Sequence, residues 1–230
     1  MFSKALTIVS ILTLTALIAC NGSKGVTNTE LKTKADSVAY AIGASIGGSM
    51  KKDGLDSLNL DILKAGLSAA LHGDSVLLDP NKSQMVIQSY LQEKQKVKGE
   101  ANLSAGMKFL EENKKKPGIV ELPDGLQYQV ITEGTGAMPG ETDTVTVNYV
   151  GTLIDGTQFD SSNDHGGPSP YPVNGYIKGW SEALQKMKAG SKWRLFVPPA
   201  LAYGDRAAGP KIQPNSTLVF ELELISVKGK

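Results

Sequence analysis

Cysteine and histidine are almost missing: one of the first and two of the second in 230 residues. A lone thiol closes no intramolecular disulfide, and Cys20, His72 and His165 cannot assemble a thiolate or imidazole zinc cage. Redox and zinc chemistry are therefore excluded, and neither a metal nor an organic cofactor is expected. A dominant charge is missing too. Lys and Arg number 24 against 23 Asp and Glu, a formal charge of +1, which argues against nucleic acid as a partner. What is present suits a folded chain, with 40% hydrophobic residues to build a core.

The single cysteine stands at an informative place. Met1 to Lys4 carries one positive charge, and Ala5 to Ala19 follows without any, ending Leu17-Ile18-Ala19-Cys20. A spanning helix needs roughly 20 apolar residues, so this shorter run reads as an export signal, residues 1–20, cut after a small residue. Leu17 to Cys20 resembles the lipobox of bacterial lipoproteins. That resemblance implies that Cys20 becomes the amino terminus, carries lipid and anchors the chain to a membrane of the bacterial cell envelope, on the periplasmic side of the outer membrane. Residues 21–29 would be a polar tether.

Beyond the tether the composition changes at Lys116. All prolines except Pro80, and all aromatic residues except Phe2, Tyr40, Tyr90 and Phe109, follow that point. Two domains result, 30–116 helical and 117–230 built of strands, an α+β chain. Val38, Ile42, Ile46 and Met50 recur four apart beside Ala39, Gly43 and Gly47, giving one helix a bulky stripe and a small one. Glycine costs a helix about 1 kcal/mol relative to alanine, so the small stripe points to close packing, with a second chain as a candidate partner. A second helix runs from Leu60 to Leu71, with Asn59 or Asp61 at its start and Gly73 beyond its end. Asp79-Pro80 opens a third, charged and uninterrupted to Lys115, about 50 Å long at 1.5 Å per residue. Gly99 and Gly106 should weaken it locally. Gly43-Ala44-Ser45-Ile46-Gly47 matches the nucleophile elbow of serine hydrolases, but that elbow must follow a strand, and Ser45 lies within a helical pattern. His72 and His165 have no assigned partner and read as surface or loop residues.

After Lys116 the pattern alternates. Leu126, Tyr128 and Val130 form one run; Val145, Val147, Tyr149 and Leu153 another; Trp193, Leu195 and Val197 a third; Leu218, Phe220, Leu222 and Leu224 the last. Asp155-Gly156 marks a hairpin turn before Phe159. Trp180, Leu184 and Met187 stand at helical spacing, which predicts one short helix with an antiparallel sheet wrapped on it.

Several blocks in order, Val145 to Gly151, Gly156 to Ser162, Tyr176 to Trp180, Leu201 to Arg206 and Pro214 to Glu221, resemble the FKBP-type peptidyl-prolyl cis-trans isomerases, over about residues 120 to 228. The helical half, with Tyr40-Ala41-Ile42-Gly43 and the charged arm ending Pro117-Gly118, is similar to the dimerising region of the macrophage infectivity potentiator group. The resemblance implies an FKBP-like half-barrel and a homodimer. It implies that Trp180 floors a pocket, that Tyr149, Phe159 and Phe220 wall it, and that Val173, Ile177 and Ile212 add aliphatic surface, with Tyr171 on the rim. The Tyr203 hydroxyl and the Ile177 N–H match donors to substrate carbonyls, and Asp160 matches a carboxylate that orients Tyr149 and faces the twisted amide.

These residue types suit the reaction. Rotation about an Xaa-Pro bond meets a barrier of roughly 18 to 20 kcal/mol set by amide resonance, and no covalent bond breaks. An apolar hollow that strips water from the amide and grips its twisted form needs no nucleophile and no general base. The expected activity is isomerisation of proline-containing, unfolded or partly folded envelope polypeptides. A dimeric chaperone or ligand-binding module using the same pocket without turnover is the alternative.

Overall fold

The computed structural model describes residues 30–229. The expected signal, tether and Cys20 lie outside them. By its contacts the chain divides into two units, one ending at Ile46 and the other beginning at Gly47. Among the described residues no helix is long and apolar enough to cross a membrane.

Helix α1 spans Lys34–Lys52 and buries none of its residues. Ser45 lies within it, on helical backbone rather than on a strand-to-helix turn. Helix α2, Leu60–His72, begins and ends where local chemistry dictates. The Asn59 side chain accepts from the Asp61 and Ile62 N–H groups, and Gly73 closes the other end in the left-handed conformation at φ 72°. Helix α3, Pro80–Asn113, has Asp79 as its cap and proline in the first turn, where a missing N–H costs nothing.

Seven strands follow, all antiparallel: β1 Ile119–Glu121, β2 Gln127–Thr132, β3 Thr144–Leu153, β4 Gln158–Ser161, β5 Ser169–Pro172, β6 Lys192–Val197 and β7 Leu218–Val227. The order across the sheet is β1-β2-β6-β7-β3-β4, with β5 also on β3. β3 is thus shared along its outer edge, β5 pairing with residues 144–147 and β4 with residues 150–152. Pro170 and Pro172 fit here because an edge strand tolerates a missing ladder donor. Helix α4, Lys178–Leu184, lies on the concave face, and Trp180, Ala183, Leu184 and the following Met187 join Val145, Leu195, Leu222 and Leu224 in one core. A Cβ on Gly179 would come within 2.6 Å of Val197, so only glycine lets this helix approach so closely.

The second half of α3 does more than space two domains. Gly99 and Gly106 are buried, and a Cβ on either would press on Pro214 or Thr217. They are contact points against the segment that leads into β7, not merely weak places in the helix. Asn102 Nδ2 donates to the Pro214 carbonyl at 2.9 Å, Phe109 and Phe196 lie 6.0 Å apart, and the buried Asn113 amide donates to Gln127 at 3.0 Å.

Candidate active site

The concave face carries a cavity of about 430 Å³. Its floor is Trp180, from the first turn of α4, 4% exposed yet lining the hollow. Rings stand around it. Tyr149 from β3 meets the indole edge-on at 5.0 Å and 76°, and Phe220 from β7 does so at 5.0 Å and 82°. Phe159 from β4 stands perpendicular to Phe220 at 5.6 Å, and Tyr176 closes the other side, 5.0 Å from Trp180. Edge-to-face pairs set a positive ring edge against a negative ring face, so the box holds its own shape.

Backbone features make room for these rings. Gly151 in β3 lies opposite Phe220, and a Cβ there would fall 2.7 Å from the Phe159 ring and 2.9 Å from Phe220. Beyond β4, the chain makes a 3-10 turn, Ser162–His165, capped by the Ser161 hydroxyl and reversed by Gly166 at φ 86°. The segment from Phe159 to Tyr171 thereby runs along the β3 edge and delivers Phe159, Asp160, His165 and Tyr171 to one hollow. Ser162 stitches this segment down: its Oγ accepts the Tyr149 N–H at 3.2 Å and donates to Asn148 Oδ1.

The polar atoms are few and placed. Tyr149 donates its hydroxyl to Asp160 Oδ2 at 2.8 Å. Burial, then this carboxylate, pushes the Tyr149 phenol well above its ordinary range, and burial pushes Tyr176 up to about 12. Burial and the Asp160 charge also raise Tyr203. All three stay neutral donors near pH 7. Among the described residues the Tyr203 hydroxyl and the Ile177 N–H have no acceptor. Ile177 caps α4, giving its carbonyl to the Trp180 and Ser181 N–H groups.

Eight of the ten residues expected at the pocket line the cavity: Tyr149, Phe159, Asp160, Tyr171, Ile177, Trp180, Tyr203 and Phe220. Val173 and Ile212 do not. Val173 is fully buried where the chain turns from β5 to α4, its N–H bound to the Asp143 carbonyl and its own carbonyl taken by Ser181. Ile212 lies in the core beneath the loop it shares with Ala208. Both belong to the core beside the hollow, Val173 fully buried and Ile212 nearly so. Tyr176 and His165 were missed as lining residues. Tyr176 was visible as an aromatic within a recognised block, whereas His165, read as unpartnered, faces Asp160 Oδ1 at 2.7 Å across a turn that local propensity does not announce. The other histidine is the simpler case, its Nδ1 2.8 Å from the Ser68 carbonyl on α2.

Comparison with known proteins agrees with this geometry. Residues 136–225 match the family described as FKBP-type peptidyl-prolyl cis-trans isomerase, and residues 35–130 match the domain amino-terminal to it. The outer membrane protein MIP of Legionella longbeachae is 47% identical over 207 residues, 87% of this chain and 88% of that protein. An FKBP-type 22 kDa peptidyl-prolyl cis-trans isomerase of Escherichia coli is 44% identical over 192 residues, 82% of this chain and 93% of its own. Among solved structures, FkpA from Escherichia coli superposes with a TM-score of 0.66 at 37% identity, over 86% of this chain and 98% of FkpA.

Proposed function

Because the chain belongs to the FKBP-type peptidyl-prolyl cis-trans isomerases, we propose that its aromatic cavity is where an Xaa-Pro amide twists. The observation that carries this assignment is a ring-walled hollow in which, among the described residues, the Tyr203 hydroxyl and the Ile177 N–H are without an acceptor. Proline fills the space over Trp180, between Phe159, Tyr149 and Phe220. The planar amide is polar and favoured by water, and the twisted one less so. Stripping water from it therefore costs the ground state more than the transition state, and the barrier falls. The Tyr203 hydroxyl and the Ile177 N–H hold carbonyls on either side of the rotating bond, and Asp160, fixed by Tyr149, faces the amide. Nothing is protonated or cleaved, which fits a site without a nucleophile and base in register.

The test is exchange spectroscopy on a short Ala-Phe-Pro-Phe peptide, which reads cis/trans rates without a coupling protease. The full chain in detergent is expected to accelerate exchange, and Phe159→Ala with Tyr203→Phe to lose at least about tenfold, or 1.36 kcal/mol. An unchanged rate in that double variant removes the assignment.

The broader setting is also our reading. The lipobox-like Leu17 to Cys20, with an outer membrane protein among the relatives, supports an envelope protein anchored through lipid on Cys20. Its clients are then exported polypeptides that have yet to fold. The domain limits 30–116 and 117–230 remain our division by activity, with the helical part pairing two chains. Apolar residues left exposed on α1 and α2, among them Ile42, Leu60 and Leu71, support that pairing. Two pockets on long arms would raise the effective concentration of one client at the second site.

A further inference from the structure

Asp160 has more partners than Tyr149. Its Oδ2 accepts the Tyr149 hydroxyl at 2.8 Å, while its Oδ1 accepts the Ser161 N–H at 3.0 Å and faces His165 Nε2 at 2.7 Å. His165 ends a 3-10 turn fixed at both ends, by the Ser161 cap and by Gly166 in the left-handed region. The imidazole therefore reaches the carboxylate from a defined backbone, at the lip of the cavity, with 64% of its side chain exposed. Tyr149, Asp160 and His165 form a relay of three side chains from the indole floor to solvent.

We propose that His165 is a positioning residue for isomerisation: its cationic form locks Asp160, and through it Tyr149, so that turnover is higher when the imidazole is charged than when it is neutral. The proposal rests on the isomerase reading above and adds regulation to the same site. The argument is one of bond strength. A charge-assisted hydrogen bond is roughly twice as strong as a neutral one. At this exposure water competes effectively with the neutral imidazole, and the carboxylate then gains freedom to rotate. Asp160 is useful only in the rotamer that aims one oxygen at Tyr149, so loss of the lock lowers the population of ready sites.

Other groups facing the relay do not supply such a change. Tyr149 on β3, Tyr176 before α4 and Tyr203 beyond β6 are held neutral by burial, and Tyr171 on β5 is a further phenol. Asp164 on the turn itself accepts from the Ser161 hydroxyl at 2.8 Å, and Lys211 on the opposing loop donates to the Gln158 carbonyl at 2.7 Å. Carboxylates and ammonium groups ordinarily keep one charge between pH 5 and 8, the window in which imidazole changes its own.

The experiment is the exchange assay on the full chain between pH 5.5 and 8. The expected wild-type result is a kcat about two- to fivefold higher at the acid end with KM nearly level, the size suited to one partly exposed charge pair. His165→Arg, a permanent cation, should hold the acid level at every pH, and His165→Gln the alkaline level. His72→Gln, on α2, should keep the wild-type profile. A flat wild-type profile, or a slope that survives in His165→Gln, overturns the proposal while leaving the isomerase reading intact. No acceleration at any pH overturns both.

Discussion

Gly151 is the residue on which the cavity's shape depends most. It stands in the middle of β3, where glycine ordinarily weakens a strand, and the two rings crowding its missing Cβ explain its presence. Gly151→Ala is expected to force Phe159 and Phe220 apart, costing about 1–3 kcal/mol of stability as overpacking does, and to lower kcat/KM by about tenfold or more. Urea melts and the exchange assay read the two effects, and a variant of wild-type activity would show that the box tolerates expansion. Glu221 makes a different case, on the outer face. The Arg194 guanidinium at 2.5 Å, then Lys192, hold its carboxyl below the ordinary value of 4.5. A depressed folded value stabilises the protein above the unfolded one and loses that contribution as pH falls through the folded value. The pair is partly exposed, so the contribution is under about 1 kcal/mol. Glu221→Gln should therefore be slightly less stable than wild type at pH 7, with the difference shrinking as pH falls below the ordinary carboxylate value, as chemical denaturation across that range would show. Sequence patterning made most of the site legible at this level, because Phe159, Trp180, Tyr203 and Phe220 sit in blocks whose order survives. Val173 and Ile212 were not legible in the same way: the structure buries them beside the cavity, and an apolar side chain next to a pocket can face it or lie behind it, which only the backbone decides.

Among the elements, those set by local chemistry were read correctly. Asn59 and Gly73 bracket α2, and Asp79-Pro80 opens α3, because caps act within a few residues of themselves. The parity of Leu218 to Leu224 marked β7 for the same reason. What escaped was the role of α3. Its contacts with Pro214, Asn215 and Thr217 link residues more than a hundred positions apart, and no period in the helix betrays them. This contact also explains why Phe196, on the side of β6 away from the core, is buried: Phe109 covers it. Gly106→Ala separates the two views of the arm. Helix propensity alone favours alanine by about 1 kcal/mol, whereas a methyl group driven into the buried Thr217 side chain costs about 1–3 kcal/mol. We expect net destabilisation of the full chain by thermal melt. Net stabilisation would return α3 to the status of a free spacer.

The whole molecule poses the question of what its amino-terminal helices are for. Val38, Ile42 and Ile46 on α1 are all more than 40% exposed, an expensive arrangement for apolar side chains unless something covers them. Gly43 and Gly47 sharpen the point. Among the described residues nothing beyond the helix's own backbone lies within 4 Å of a Cβ at either position, so neither glycine makes room for another described part of the chain. Each still weakens the helix by about 1 kcal/mol relative to alanine. In a solitary chain, Gly43→Ala with Gly47→Ala should raise stability by about 2 kcal/mol and change no other property. If a second copy lays its backbone on this stripe, the same pair of methyl groups keeps the helices apart, and the variant loses its partner. We expect the second outcome. Light scattering at micromolar concentration should give twice the chain mass for wild type and the single mass for the variant, and the concentration dependence of the wild-type melting temperature should vanish in the variant. A wild-type chain that scatters as a monomer, or a variant that stays paired and melts higher, would count decisively against two pockets sharing one client.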